Sequence, residues 1–170
     1  MFKNPVLGVI AGALLTAVIQ SSSASVGILQ ALCRTGSVTY AASIPIIMGQ
    51  NIGTCVTALL SSIGANKNAR RAALVHFYFT IIGTIVFMAV FYTINAVMPF
   101  GFLEDTAGVT GLAVVHSAFN VVATLCLLPF RNLLVKLATL TIRDDDEIEE
   151  KSGVTATLLD ERFLEKPSFA

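Results

Sequence analysis

The chain has 170 residues, of which 55% are hydrophobic and only 13% charged, and its mean hydropathy is +0.77. Soluble domains carry about a quarter charged residues, so this composition excludes a disordered chain, a nucleic-acid-binding module and an ordinary water-soluble domain. The net charge of zero hides a division: up to Arg143 eight Lys or Arg residues stand against Glu104 and Asp105 alone, whereas beyond it three basic residues stand against nine acidic ones. A membrane domain with a basic rim is expected over residues 1–143, and a polar, aqueous tail over 144–170.

Four stretches carry no charge: residues 4–33, 35–66, 72–103 and 106–130. A helix needs about 20 apolar residues to cross a bilayer core, so the chain contains four membrane-embedded units. Cys33, Cys55 and Cys126 lie singly within them. With no C-x-x-C pair they read as apolar packing residues, not as a disulfide framework or a zinc site.

The first unit, residues 5–32, would measure about 42 Å as one helix, longer than the hydrocarbon is thick. Its middle is the polar run Gln20-Ser21-Ser22-Ser23-Ala24-Ser25. Serines compete for their own backbone and favour caps and turns. A re-entrant hairpin is expected, descending over 5–19, turning at the serines and returning over 24–33. Such a turn is tolerated at membrane depth only inside protein or beside water. Two other readings stay open. Lys3, the apolar run 6–19 and Ser22-Ser23-Ala24 also match a secretory signal peptide. Thr16, Gln20, Ser23, Gly27 and Gln30 also form one stripe of a single tilted helix.

The second unit, residues 38–62, holds Gly49-Gln50-Asn51-Ile52-Gly53-Thr54 near its centre, with Pro45 upstream. Proline and glycine weaken a helix, and two amides at mid-membrane are costly unless they face a partner or a site. The expectation is a discontinuous transmembrane helix, offering carbonyls to a cation and amides to an anion. The plainer reading of Gly49 and Gly53 is a helix-packing G-x-x-x-G.

The last two units, 71–98 and 107–129, are joined through a turn with Pro99 and Gly101. Lys67, Arg70 and Arg71, with Arg131, Lys136 and Arg143, mark the cytoplasmic side; Glu104 and Asp105 lie outside. His116, Asn120 and Thr124 share one helix face, as do His76, Thr80 and Thr84. No Asp or Glu lies in any span to orient a catalytic base, and neither histidine has a metal-ligand spacing. The chain is read as no enzyme; the histidines pack, with His116 bordering the pathway.

Taken with Gln20-Ser21-Ser22-Ser23 and Gly49-Gln50-Asn51-Ile52-Gly53-Thr54, the flanks Ser61-Ser62-Ile63-Gly64-Ala65-Asn66-Lys67-Asn68-Ala69-Arg70-Arg71-Ala72-Ala73 and His116-Ser117-Ala118-Phe119-Asn120 carry a resemblance. The chain is similar to the second repeat of the type II sodium–phosphate cotransporter family in its bacterial form, over nearly all of residues 5–166. The resemblance implies two inverted repeats meeting around a phosphate and sodium site. Carried over by position, Gln20, Ser21, Ser22, Ser23 and Thr54 would bind phosphate, while Gln20, Ser23, Asn51 and Gly53 would bind sodium. Only one Gln-Ser-Ser-Ser copy is present, so the first repeat is missing from this chain. Leu159-Asp160-Glu161-Arg162-Phe163-Leu164 resembles the opening of a soluble domain like the phosphate-uptake regulator PhoU.

The fold expected is all-α and integral to the membrane: a re-entrant helical hairpin, one discontinuous transmembrane helix and two further transmembrane helices. The function expected is half of a sodium-coupled inorganic phosphate symporter, multi-pass in the cell membrane with its tail in the cytoplasm. Its partners are phosphate, sodium, the missing repeat and the lipid bilayer; nucleic acid is not one, and no cofactor is required beyond co-transported sodium. No Lys or Arg lies well inside a span, so bound sodium would offset the charge of a buried phosphate. The alternative is a non-transporting membrane scaffold or assembly subunit whose serine cluster serves helix packing.

Overall fold

A computed structural model describes residues 4–143; the expectations for the tail, and for Lys3, lie outside them. The described chain runs through six α-helices: α1 (Pro5–Ile19), α2 (Ser22–Arg34), α3 (Tyr40–Ser61), α4 (Lys67–Val97), α5 (Val109–Leu127) and α6 (Arg131–Thr141). Short 3-10 turns occupy Gly101–Glu104 and Leu128–Phe130.

α1 begins with an Asn4 cap, whose side chain accepts from the Val6 N–H, and with Pro5 in the first turn. It stops at Gln20, which turns left-handed at φ 56°, ψ 23°. Ser21 then caps α2, its Oγ accepting from the Ala24 N–H at 3.3 Å. The break therefore falls at Gln20–Ser21, and Ser22 and Ser23 already belong to the returning helix, two residues earlier than expected. The Thr16 hydroxyl donates to Ser25 Oγ at 2.8 Å. In a straight helix those residues would stand about 13 Å apart, so the chain doubles back. The single tilted helix is thereby excluded, and its polar stripe is split between two elements.

α1 lies against α3 along a seam of glycines. Gly8 sits over Pro45, Gly12 over the Ile46 carbonyl, Gly49 over the Val9 carbonyl and Gly53 over the Ala13 carbonyl. A Cβ at Gly12 or Gly49 would overlap a backbone oxygen. The paired numbers rise together, so the two helices run parallel and begin at the same end. This is close small-residue packing of the kind membrane helices use in place of a hydrophobic drive.

The discontinuous helix is corrected: α3 is continuous from Tyr40 to Ser61. Opening it would strand backbone groups that lipid cannot satisfy, at several kcal/mol each. Gly49 and Gly53 serve close approach instead, and Pro45 is buried beneath Gly8. The polar side chains return to their own helix: Asn51 Nδ2 donates to the Ile47 carbonyl at 3.2 Å and the Thr54 hydroxyl to the Gln50 carbonyl at 3.0 Å.

The remaining helices complete a bundle tied at both ends. At one end the Tyr40 N–H donates to the Asp105 carbonyl at 3.1 Å and the Ala107 N–H to the Val38 carbonyl at 2.8 Å. At the other, Arg71 donates through Nε and Nη2 to the Ile142 carbonyl at 3.1 and 2.8 Å. Tyr78 and Thr141 share a hydrogen bond of 2.8 Å there. α6, which the charge pattern showed only as a basic flank, docks on α4 at this basic end. Three stretches are long and apolar enough to cross a membrane: Tyr40–Ser61, Lys67–Val97 and Val109–Thr141. Large apolar side chains such as Val18, Ile85, Val97 and Leu125 face outward, as they do when lipid is the solvent. Leu29, Met48, Leu112 and Phe119 pack inside.

Candidate functional site

The site grows from the break between α1 and α2. Gln20 is the one non-glycine residue at positive φ among the described residues, a conformation that L-residues adopt at a cost and that concentrates at functional sites. The turn sets the C-terminal carbonyls of α1 beside the N-terminal amides of α2. Those are the negative and positive ends of two helix dipoles. Within the first turn of α2, the Ala24 and Ser25 N–H groups are held by Ser21. The Ser22 and Ser23 N–H groups have no acceptor within the helix. Their hydroxyls likewise take no partner among the described residues.

Ser22 and Ser23 open on a cavity of about 270 Å³, lined also by Val26, Gly27, Gln30 and His116. His116 comes from α5 and ties the cavity to α3, its Nε2 standing 3.3 Å from Asn51 Oδ1. Beside the cavity, Gln50 is 1% exposed. Its Nε2 donates to the Ser25 carbonyl at 3.0 Å, while its Oε1 is buried without a partner among the described residues.

Of the residues singled out from the sequence, Ser22 and Ser23 line the cavity, and Asn51 reaches it through His116. Gln20 and Ser21 shape the turn; Gln20 is exposed, and the Ser21 hydroxyl is engaged as a cap. Gly53 and Thr54 are not brought to the cavity. Gly53 lies against Ala13 and Thr16 of α1, with its carbonyl inside an unbroken helix, and Thr54 bonds its own helix. Sequence reasoning left Gln30 and Gln50 out of the site and gave His116 only as bordering the pathway. The shared face of His116 and Asn120 was the available signal, but the partner helix is not encoded in a face. His76 is exposed, and its backbone carbonyl, not its ring, meets α3 through Cys55 Sγ at 3.8 Å. Among the described residues no group of three His, Cys, Asp or Glu converges to hold a metal ion.

A sequence model of the Na+/Pi-cotransporter family matches residues 1–119. The chain belongs to this family. Among its relatives, the uncharacterized protein YqeW of Bacillus subtilis is 32% identical over 77% of this chain and 42% of its own length. YjbB of Salmonella typhimurium, named for inorganic phosphate export, is 28% identical over 96% of this chain and 29% of its own length. Human sodium-dependent phosphate transport protein 2B is 38% identical over 53% of this chain and 14% of its own length. The chain thus spans less than half the length of each of these relatives. No solved structure matches it. Family membership and three candidate spans make it a multi-pass membrane protein.

Proposed function

We propose that this chain forms half of a sodium-coupled inorganic phosphate transporter, with phosphate bound at the α2 N-terminus and sodium close by. The single observation that carries the reading is the division of labour among the serines. Ser21 and Ser25 are engaged in capping and packing, while Ser22 and Ser23 present unpartnered hydroxyls and amides to an open cavity. Hydroxyls and helix N-terminal amides donate to phosphate oxygens. Asn51 Oδ1, Gln50 Oε1 and the α1 carbonyls are hard oxygens suited to a sodium ion. The α1–α2 turn supplies both dipole ends that a broken α3 was expected to supply. In a membrane this pair of helices is a re-entrant hairpin, because α1 and α3 begin at the same end and α2 leads back to the start of α3. A partner repeat, packed on the open side of the cavity, completes the site, and the residues beyond 143 lie in the cytoplasm.

The reading is tested with the full-length protein in proteoliposomes, by following radiolabelled phosphate under a sodium gradient. Sodium-driven flux is expected, in the direction the gradient sets. Ser22→Ala removes a hydrogen bond to a charged ligand, worth about 1.5–3 kcal/mol, and is expected to weaken phosphate affinity about ten- to a hundred-fold. Wild-type sodium-driven flux in both Ser22→Ala and Asn51→Ala would make the motifs packing devices and return the scaffold reading.

A further inference from the structure

His116 is placed where the two ions of the proposed site would meet. Among the described residues it is the only one lining the serine cavity that can carry a charge, and it is also hydrogen-bonded to Asn51. The orientation of that amide is set by its other end: Asn51 Nδ2 donates to the Ile47 carbonyl, so Oδ1 must face the imidazole. An amide oxygen only accepts. Nε2 therefore carries the ring proton and acts as donor, at a long 3.3 Å. One turn along α5, Asn120 Nδ2 donates to the His116 backbone carbonyl at 2.9 Å and leaves the ring free to turn.

Two acceptors therefore compete for one N–H. In this structure it is held by Asn51 Oδ1. A phosphate oxygen in the cavity would be the stronger acceptor, because a charged acceptor roughly doubles such a bond. Asn51 Oδ1 is also one of the hard oxygens available to sodium. A cation on that oxygen repels the N–H dipole that now points at it.

We propose that His116 couples sodium to phosphate: sodium at Asn51 Oδ1 releases the Nε2–H, and the released N–H turns to a phosphate oxygen beside Ser22 and Ser23. This rests on the reading that the cavity takes phosphate and Asn51 takes sodium. No proton is transferred; the ring exchanges one acceptor for another. By linkage the effect is reciprocal, and phosphate frees the amide oxygen for sodium by the same factor.

The test uses the full-length transporter in detergent, titrated calorimetrically with inorganic phosphate in sodium and in choline. The quantity read is the sodium-induced tightening, the ratio of the two dissociation constants. In His116→Ala this ratio is expected to fall about tenfold, the equivalent of one hydrogen bond to a charged group. The constant in choline should weaken by a smaller factor than the constant in sodium, since phosphate must there displace Asn51 Oδ1 from the N–H. His116→Gln, which keeps a side-chain N–H donor, should retain most of the tightening. Asn51→Ala should bind phosphate in choline at least as tightly as wild type, because the N–H is freed without sodium; this variant serves if His116→Ala does not fold. A full sodium effect in His116→Ala, an equal loss in both salts, or weaker choline binding in Asn51→Ala would overturn the coupling role. Ser22→Ala separates the two claims. If it loses phosphate affinity in both salts while His116→Ala keeps the full sodium effect, only the coupling fails; if Ser22→Ala binds as wild type, the phosphate site itself fails.

Discussion

Gln20 concentrates the tension between stability and use. Its left-handed backbone costs about 1–2 kcal/mol relative to an ordinary helical residue, and glycine would adopt it freely. Gln20→Gly is therefore expected to raise the thermal stability of the detergent-solubilised protein by up to a few degrees while lowering sodium-driven phosphate flux. Parallel melting and flux measurements check this, and a variant that loses stability would show that the amide itself holds the turn. The four serines nearby illustrate how far residue-level reading reaches. Their density announced a turn, and the structure has one. Their separate tasks were not legible, because identical hydroxyls are sorted only by their position relative to the break. Ser21 precedes the helix and caps it; Ser25 is one turn further on and buried against Thr16. His116 was placed only at the border of the pathway for a different reason, since its partner Asn51 stands 65 residues away in sequence.

Among the elements, α1 was legible to the residue: Pro5 opens it, and the polar run that starts at Gln20 closes it. α3 was misjudged because glycine and proline have two uses in a membrane helix, to open it or to let a neighbour in. Sequence shows the residues but not the neighbour. Gly8 and Gly12 held the missing half of the signal, at the same spacing as Gly49 and Gly53. Gly49→Val would push side-chain atoms into the Val9 carbonyl, and overpacking of this kind costs about 1–3 kcal/mol. A lower melting temperature and loss of phosphate binding are expected, since the seam carries α1 and with it the turn. Gly101→Ala, where nothing stands within 4 Å of an added Cβ, should melt as wild type. Equal melting of the two variants would remove the seam from the account of stability.

At the scale of the whole molecule, the acidic pair and most of the basic residues lie at opposite ends, with Arg34 alone among the described basic residues at the acidic end. Glu104 and Asp105 lie with the start of α3, while Arg71 and the α6 flank lie at the opposite end. An excess of Lys and Arg is expected at the cytoplasmic face. Single cysteines at Asn68 and Glu104, in a background freed of Cys33, Cys55 and Cys126, should react oppositely with an impermeant thiol reagent in intact cells. Labelling is expected at 104 and not at 68; the reverse would invert the bundle. The three spanning stretches were legible from charge-free lengths alone. Legibility ended at α6, because its basic residues marked a rim without revealing that they ride on a helix docked against α4.

The parallel seam between α1 and α3 also constrains how the protein is made. α1 has 15 residues, about 22 Å of helix, too short to cross the hydrocarbon core alone. Its partner surface on α3 leaves the ribosome only after α2 has been synthesised. Until then, among the described residues, α1 has no groove to receive its backbone. The seat of α1, and with it the Gln20–Ser21 turn, is therefore completed only once the later-made α3 is present.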